Sequence, residues 1–407
     1  MKRILWISPY APYDKVPHGG GQNHNLYLKF FHKNTESEIT LLTIFNSDER
    51  QLLDLDDYGI TNRLKEYNKK KPASIFYNCV AKVAIWRDGG ILNNAKYHLL
   101  KGLIREYAAS GEQPDIIITQ WTEVTLLGDY LRKFFPRCKY VGIEEDVAFL
   151  GYERKYLEAH GIYKIYKKMK YRVLKRRELE ALRKCDLAVV LNKKDEKLLV
   201  DNGIDPEKIF CSCVYHGFYN DAVYSPSGKD LLFYGAMNRP ENYKSAIWLI
   251  ENVLPRLDKE YRLIVVGANP VESLLAYQSD RVMIKGFVDD VKPYFEKCLC
   301  LAAPLLLGAG IKIKILEAMS AGMPVVTNEI GAEGIGLTDG VNYLHCNQAQ
   351  EYVEAIERLN MDAALRDSIS KNAKQHILNH FDVEEALKKL NKRIEIMCAI
   401  TDGCPLS

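Results

Sequence analysis

The sequence predicts an α/β protein made of two parallel-sheet domains. Three observations carry that prediction. The chain has 407 residues, too many for one ordinary hydrophobic core. Short apolar runs alternate with helical stretches along most of it, the rhythm of βαβ units. A Ser225-Pro226-Ser227-Gly228 stretch within residues 221–229 interrupts the rhythm, which then restarts. The expected boundaries are residues 1–220 for the first domain, 221–229 for a linker and 230–380 for the second domain.

Composition narrows the class. The chain is 47% hydrophobic and 27% charged, ordinary for a soluble globular protein. A formal charge of +3 is too small to argue for nucleic acid. The ten cysteines form two Cys-x-Cys pairs and no Cys-x-x-Cys, so neither a zinc site nor a disulfide framework follows. Reduced, buried thiols of a cytoplasmic protein are the expectation. No apolar run reaches the roughly 18 residues that span a membrane. The start, Met1-Lys-Arg-Ile-Leu-Trp-Ile, reads as a first strand over Ile4–Ile7, not as a signal peptide.

In the first half, Ile4–Ile7 feeds a loop ending in His18-Gly19-Gly20-Gly21, and a helix follows over Gln22–His32. A glycine loop opening a helix is the first βα turn of a nucleotide-binding sheet. The pattern is not G-x-G-x-x-G, which argues against a dinucleotide. Glu38–Phe45, Pro114–Gln120, Lys139–Asp146, Cys185–Asn192 and Ile209–Val214 read as further strands. Residues 48–110 read as helices and loop. Asp54-Leu55-Asp56 lies there, without a strand before it, and reads as a solvated helix face rather than a metal site.

Residues 154–184 hold twelve basic residues against three acids, with Tyr156, Tyr163, Tyr166 and Tyr171 interleaved. Two readings stand side by side. One is a basic aromatic helix on an anionic membrane surface. The other is a solvated helix packing by Leu174, Leu179 and Leu182. No recognition motif for nucleic acid accompanies it.

In the second half, Leu231–Gly235, Arg262–Gly267 and Val282–Gly286 read as strands and Tyr243–Leu257 as a helix. The densest stretch runs from Gly308 to Gly336. An apolar run, Leu299–Leu307, ends at Gly308-Ala309-Gly310, and a helix follows until Gly322 and Pro324 close it. Helical spacing puts Ile311, Ile315, Ala318 and Met319 towards the core and Lys314, Glu317 and Ala321 on another face. The positive end of that helix suits a diphosphate, and Lys312 or Lys314 adds charge. Glu317, two turns in, suits a ribose diol. The plainer reading is a crossover helix with a solvated Lys/Glu face. Gln348–Leu359 and Glu384–Met397 read as amphipathic helices.

Lys314-Ile-Leu-Glu317-Ala-Met-Ser-Ala-Gly322-Met-Pro324-Val-Val resembles the donor-binding motif of the retaining glycosyltransferases of family GT4. Gly235, Gly267, Gly286-Phe-Val-Asp-Asp290 and Glu317 fall in the family's order, and the likeness covers roughly residues 1–395. The resemblance implies a GT-B fold, two Rossmann-like domains facing a cleft, with the last helix, about 382–400, packing back on the first domain. It implies transfer of a sugar, with retention, from a nucleotide-diphosphate sugar to a hydroxyl of a glycan or lipid-linked acceptor. No cofactor or metal is expected. The implied donor site comprises Gly20, Gly21, Arg239, Lys244, Gly310, Ile311, Lys312, Lys314 and Glu317. Asp146 and Gln120 stand at first-domain positions of catalytic interest, Gln120 where many members place His. Domain closure about 221–229 is expected, as is a setting in bacterial surface polysaccharide synthesis. The chain departs from the family at Ala309, where many members carry a Glu that contacts the sugar, and at Ala236 and Asn242, where many carry Arg and Lys. His216 and Tyr219 replace Asn and Asp in a turn before the linker. Two alternatives remain: a nucleotide-sugar epimerase of the same fold, drawing on Glu144, Glu145 and Asp146, and a non-catalytic partner subunit.

Overall fold

A computed structural model describes residues 2–14, 16, 19–79, 81–212, 219–308 and 310–399. His18, the turn at 216–218 and Ala309 lie outside the described residues. The chain divides into two units: Met1–Ser212 with Glu384–Ser407, and Cys213–Val383.

Among the described residues of the first unit, the strands are β1 (Lys2–Ser8), β2 (Ser37–Asn46), β3 (Thr61–Tyr67), β4 (Ile116–Gln120), β5 (Lys139–Glu144), β6 (Leu187–Val190) and β7 (Ile209–Cys211). They form one parallel sheet in the order β3-β2-β1-β4-β5-β6-β7. Helices α1 (Gly19–Asn34), α2 (Asn94–Ala109), α3 (Ala148–Leu157) and α4 (Gly161–Arg183) flank it. The central strands are buried on both faces, which is why they read as unbroken apolar runs. Ile4, Leu5, Trp6 and Ile7 are all buried, and Leu5 and Ile7 pack with Leu42, Leu100, Ile104 and Ile117.

Several details depart from the sequence reading. β3 lies inside the region read as helices and loop. It is the edge strand, and its residues are only half-buried, so no apolar run announced it. Its Arg63 and Lys65 pair with Glu112 and Glu106. The first helix begins at Gly19, so Gly20 and Gly21 sit in its opening turn rather than in a loop. Asp54 accepts the Asp14 backbone N–H at 2.9 Å, a loop contact. The basic segment is broken at residues 158–160 into α3 and α4.

The second unit repeats the plan. Its strands are β8 (Asp230–Tyr234), β9 (Arg262–Val266), β10 (Val282–Gly286), β11 (Cys300–Ala303), β12 (Val325–Thr327) and β13 (Leu344–His345). Their order is β10-β9-β8-β11-β12-β13, again parallel. Helices α5 (Pro240–Asn252), α6 (Ile313–Ser320), α7 (Ala349–Met361) and α8 (Ala363–His380) accompany it. α8 was not anticipated, because it buries only a thin stripe of Ile369, Ala373 and Ile377. The stretch expected as a linker runs along this unit. Ser225 and Ser227 N–H donate to the Glu296 and Lys297 carbonyls at 2.8 and 3.1 Å, and Lys374 donates to the Ala222 carbonyl at 3.0 Å. Helix α9 (Val383–Ala399) belongs with the first unit, burying Leu387, Leu390 and Ile394, and Arg393 donates to the Glu207 carbonyl. Among the described residues no helix is long and apolar enough to cross a membrane.

Candidate functional site

Ligands of open α/β sheets bind beyond the carboxyl ends of the strands, where the strand order reverses. In the second unit that point lies between β8 and β11. β8 ends in Tyr234-Gly235. Gly235 has φ +148° and Gly267, at the end of β9, has φ +149°. Both values favour glycine. A Cβ on Gly267 would stand 1.7 Å from the Gly235 carbonyl oxygen, and one on Gly235 would stand 2.8 Å from Lys314 Nζ. The two glycines let the chain ends and the lysine share one small space.

α6 follows β11 through Gly308 (φ +132°) and Gly310 (φ +69°). It starts at Ile313, with Lys312 as N-cap in extended backbone, so the glycine turn runs further than the sequence suggested. Lys314 and Glu317 share a face, as expected, but that face turns inward, with Glu317 buried and Lys314 half-buried. This overturns the reading of a solvated Lys/Glu face. The Lys314 ammonium donates to Asn242 Oδ1 and stands 5.2 Å from the centre of the Phe233 ring. Burial pushes it down to about 8. Glu317 is 7% exposed, hydrogen-bonds the Tyr234 side chain, and is pushed by burial up to about 7. A half-buried lysine and a buried glutamate are thus both shifted towards neutral pH. Desolvation disfavours the charged form of each, and shifts of this kind cluster at functional sites.

The other residues are placed as follows. Lys312 donates to the Gly310 carbonyl and lies 3.4 Å from Glu333, both side chains nearly buried. Ile311 packs on the core, half-buried. Arg239 is the N-cap of α5 and pairs with Glu241 at 2.6 Å, mostly exposed. Lys244 is exposed on the same helix. Two residues of this site went unassigned in the sequence: Tyr234, which bonds Glu317, and Asn242. Asn242 stands where many GT4 members carry lysine. Here its amide donates to the Ala236 carbonyl at 2.8 Å while its oxygen holds Lys314. The signal for Tyr234 is its place just before Gly235, at the strand's carboxyl end.

The first unit has its own cluster, at the ends of β4 and β5. Gln120 Nε2 donates to Glu145 Oε1 at 2.6 Å, and Asn23 Nδ2 of α1 donates to Glu145 Oε2 at 2.9 Å. Burial pushes Glu145 up to about 8. Trp121, next along, has φ +69° and ψ 149°, a backbone conformation costly for any residue but glycine. Its ring meets Tyr10 and His24 edge-on, at 5.2 and 5.3 Å between centres. A Cβ on Gly20 would come within 3.2 Å of Trp121 Nε1 and 3.3 Å of Glu145 Cγ, so α1 approaches closely there. Gly21 is buried beside it. Glu144, bonded by Thr122, is pushed up to about 7 by burial. Asp146 is exposed on the turn after β5. The structure therefore joins Gln120 to Glu145.

With this geometry in hand, comparison with known proteins is informative. Residues 228–362 match the family model described as "Glycosyl transferases group 1". These residues form a glycosyltransferase group 1 domain. The match takes in β8, Gly235, Gly267, Lys314 and Glu317. Over 175 residues the chain is 25% identical to "Uncharacterized 44.6 kDa protein in cps region" of Klebsiella pneumoniae, 40% of this chain and 45% of that protein. Over 207 residues it is 23% identical to the "UDP-Gal:alpha-D-GlcNAc-diphosphoundecaprenol alpha-1,3-galactosyltransferase" of Escherichia coli, 47% of this chain and 52% of that one. The alignments span about half the length of these two relatives. The crystal structure of Anabaena HepE in complex with UDP superposes with TM-score 0.67 at 16% identity, covering 97% of this chain and 100% of that one. The fold is GT-B.

Proposed function

We propose that the protein transfers a sugar, with retention, from a nucleotide-diphosphate sugar to a hydroxyl of a glycan or lipid-linked acceptor in bacterial surface polysaccharide synthesis, as a member of GT4. The observation that carries this is the half-buried Lys314 beside the buried Glu317 at the reversal of strand order. Lys314 meets the diphosphate together with the start of α6 and Lys312, and Glu317 accepts both hydroxyls of the ribose. Charge that develops on the leaving diphosphate is stabilised by these fixed groups, without metal or cofactor. Retaining transfer needs no strong base, since the leaving phosphate oxygen accepts the acceptor's proton. A glutamine at position 120, where many members place histidine, is compatible with that route. Arg239 and Lys244, on α5 of the same unit, add charge for the donor. UDP is the favoured carrier, because HepE was crystallised with UDP and the E. coli relative is named for UDP-Gal. The name of that relative, and the cps region of the other, support the acceptor and the setting.

The Glu145–Gln120–Asn23 cluster favours a second reading, an epimerase of the same fold, because it holds a carboxyl that carries a proton near neutral pH.

The test is a thermal-shift screen against UDP, GDP, dTDP and CMP sugars, with and without magnesium, followed by product analysis. A donor at about 100 times its dissociation constant stabilises by about 2.7 kcal/mol. A shift with UDP-sugars, lost in Glu317→Gln, is the expected result. No shift with any nucleotide sugar means a non-catalytic partner subunit, and an epimerised nucleotide sugar as product means the second reading.

A further inference from the structure

α4 is one helix with two environments. Its C-terminal half is part of the first unit's core: Leu174, Glu178, Leu179 and Leu182 are buried. Glu178 clamps it to α3, accepting the Ala148 and Phe149 N–H groups at 2.9 Å each. Its N-terminal end is different. Gly161 to Tyr166 are all exposed, on every side of the helix. Four of those six residues are large and apolar, and Ile162 and Ile165 are 87% and 71% exposed. Leu157, at the end of α3, is 55% exposed beside the turn. Lys164, Lys167 and Lys168 alternate with these side chains, and Lys167 lies 4.9 Å from the centre of the Tyr163 ring. Tyr163 and Tyr166 stack at 5.9 Å.

Uncovered aliphatic side chains at the tip of a hairpin call for an apolar partner. The lysines decide which one. Protein interfaces are depleted in lysine at their centres, and a second copy would set these ammonium groups against one another. Nucleic acid would use the tyrosine rings and the lysines but gains little from isoleucine. A bilayer interface uses all three: aliphatic chains enter the acyl boundary, tyrosines sit at headgroup level and lysines reach the phosphates. The excess of twelve basic residues over three acids across residues 154–184 makes that bilayer anionic.

We infer that the tip of the α3–α4 hairpin is a membrane foot, which docks the first unit reversibly on an anionic bilayer by inserting Leu157, Ile162, Tyr163, Ile165 and Tyr166. The two sequence readings of this segment then both hold, each for its own half of the helix.

The experiment is flotation of the full chain with vesicles of phosphatidylcholine alone or with about one third phosphatidylglycerol. It reads partition only, so it does not depend on the transfer reaction. Binding is expected to the anionic vesicles and to weaken in about 1 M salt, where the Debye length is about 3 Å. Ile162→Glu with Ile165→Glu is expected to weaken it at least about tenfold. Lys164→Gln, Lys167→Gln and Lys168→Gln together are expected to weaken it on the order of 100-fold, since each lysine near such a surface contributes about fivefold. These sites are exposed, apart from the half-buried Lys167, so an unchanged unfolding midpoint separates lost docking from lost fold. The inference is overturned if the chain does not float with anionic vesicles at low salt. It is overturned as well if both variants float like the parent, or if the isoleucine change converts a dimer to a monomer without altering flotation.

Discussion

The two units are built on one strand order and end in opposite chemistries. In each, the strand order reverses beside the first strand, between β1 and β4 and between β8 and β11. At that point the second unit closes around a lysine and a glutamate, with two glycines of positive φ making room. The first unit gathers carboxyl groups and aromatic rings: Glu144 and Glu145, Trp121 and Tyr10. Backbone freedom is spent differently as well. At the second unit's strand ends Gly235 and Gly267 take the unusual conformations, with Asn269 at φ +54°, whereas at the first unit's a tryptophan does. Topology thus decides where a site forms, and the few residues at the strand ends decide what it binds.

That contrast breaks most visibly at the glycines. Gly267→Ala drives a methyl group to 1.7 Å from the Gly235 carbonyl oxygen. Both strand ends must move, at a cost of about 3 kcal/mol and a loss of roughly 6–12 °C in unfolding midpoint, with donor binding abolished. Gly20→Ala in the first unit meets its nearest atoms at 3.2 and 3.3 Å, both on side chains. About 1 kcal/mol or less is expected. Calorimetry of the two variants checks the difference; equal losses would mean that the second unit's edge is no tighter than the first's.

The next effect separates the two carboxyls. Glu317→Gln removes a charged acceptor from the ribose, worth about 1.5–3 kcal/mol, so donor dissociation should weaken on the order of 10- to 150-fold. Glu145→Gln should leave donor affinity within about twofold, because Glu145 itself is not assigned to the donor, and should lower turnover instead. Titration calorimetry with a UDP-sugar and a turnover assay read the two quantities separately. A donor affinity lost in Glu145→Gln would erase the division of labour.

The contrast also explains what the sequence disclosed. Central strands such as Ile4–Ile7 and Leu231–Phe233 are legible because burial on both faces demands unbroken apolar runs. β3 was not, because an edge strand tolerates Asn62, Arg63 and Lys65, and α8 was not, because its buried stripe is narrow. In the second unit the site is compact in sequence: Gly308 to Glu317 lie within one turn and one helix, so spacing alone pointed to Lys314 and Glu317. Their burial was not legible. It depends on Phe233, Tyr234 and Asn242, brought from another strand and helix. The first unit's cluster draws Asn23, Gln120 and Glu145 from three elements, with more than twenty residues between each and the next. No local pattern links them, and Asp146, one residue along, looked equally suitable.

The finest test uses acidity. Lys314 titrates near 8 and Glu317 near 7, both shifted chiefly by burial. A diphosphate selects the protonated lysine, so donor affinity should fall as pH rises through about 8. Ribose hydroxyls select the ionised carboxylate, so affinity should also fall as pH drops through about 7. The result is a narrow bell between the two values, with each limb steepening towards about tenfold per pH unit. A nucleotide sugar is the right probe, because its diphosphate, esterified at both ends, does not itself titrate in this window. Lys314→Met should lower affinity throughout and abolish the high-pH limb while keeping the low-pH one, and Glu317→Gln should do the reverse. In the first unit, Glu145 should take no part in this profile, and Glu145→Gln should leave both limbs in place. A donor affinity flat from pH 6 to 9 would mean that this pair does not meet the donor, and the assignment of the second unit's edge would fall with it.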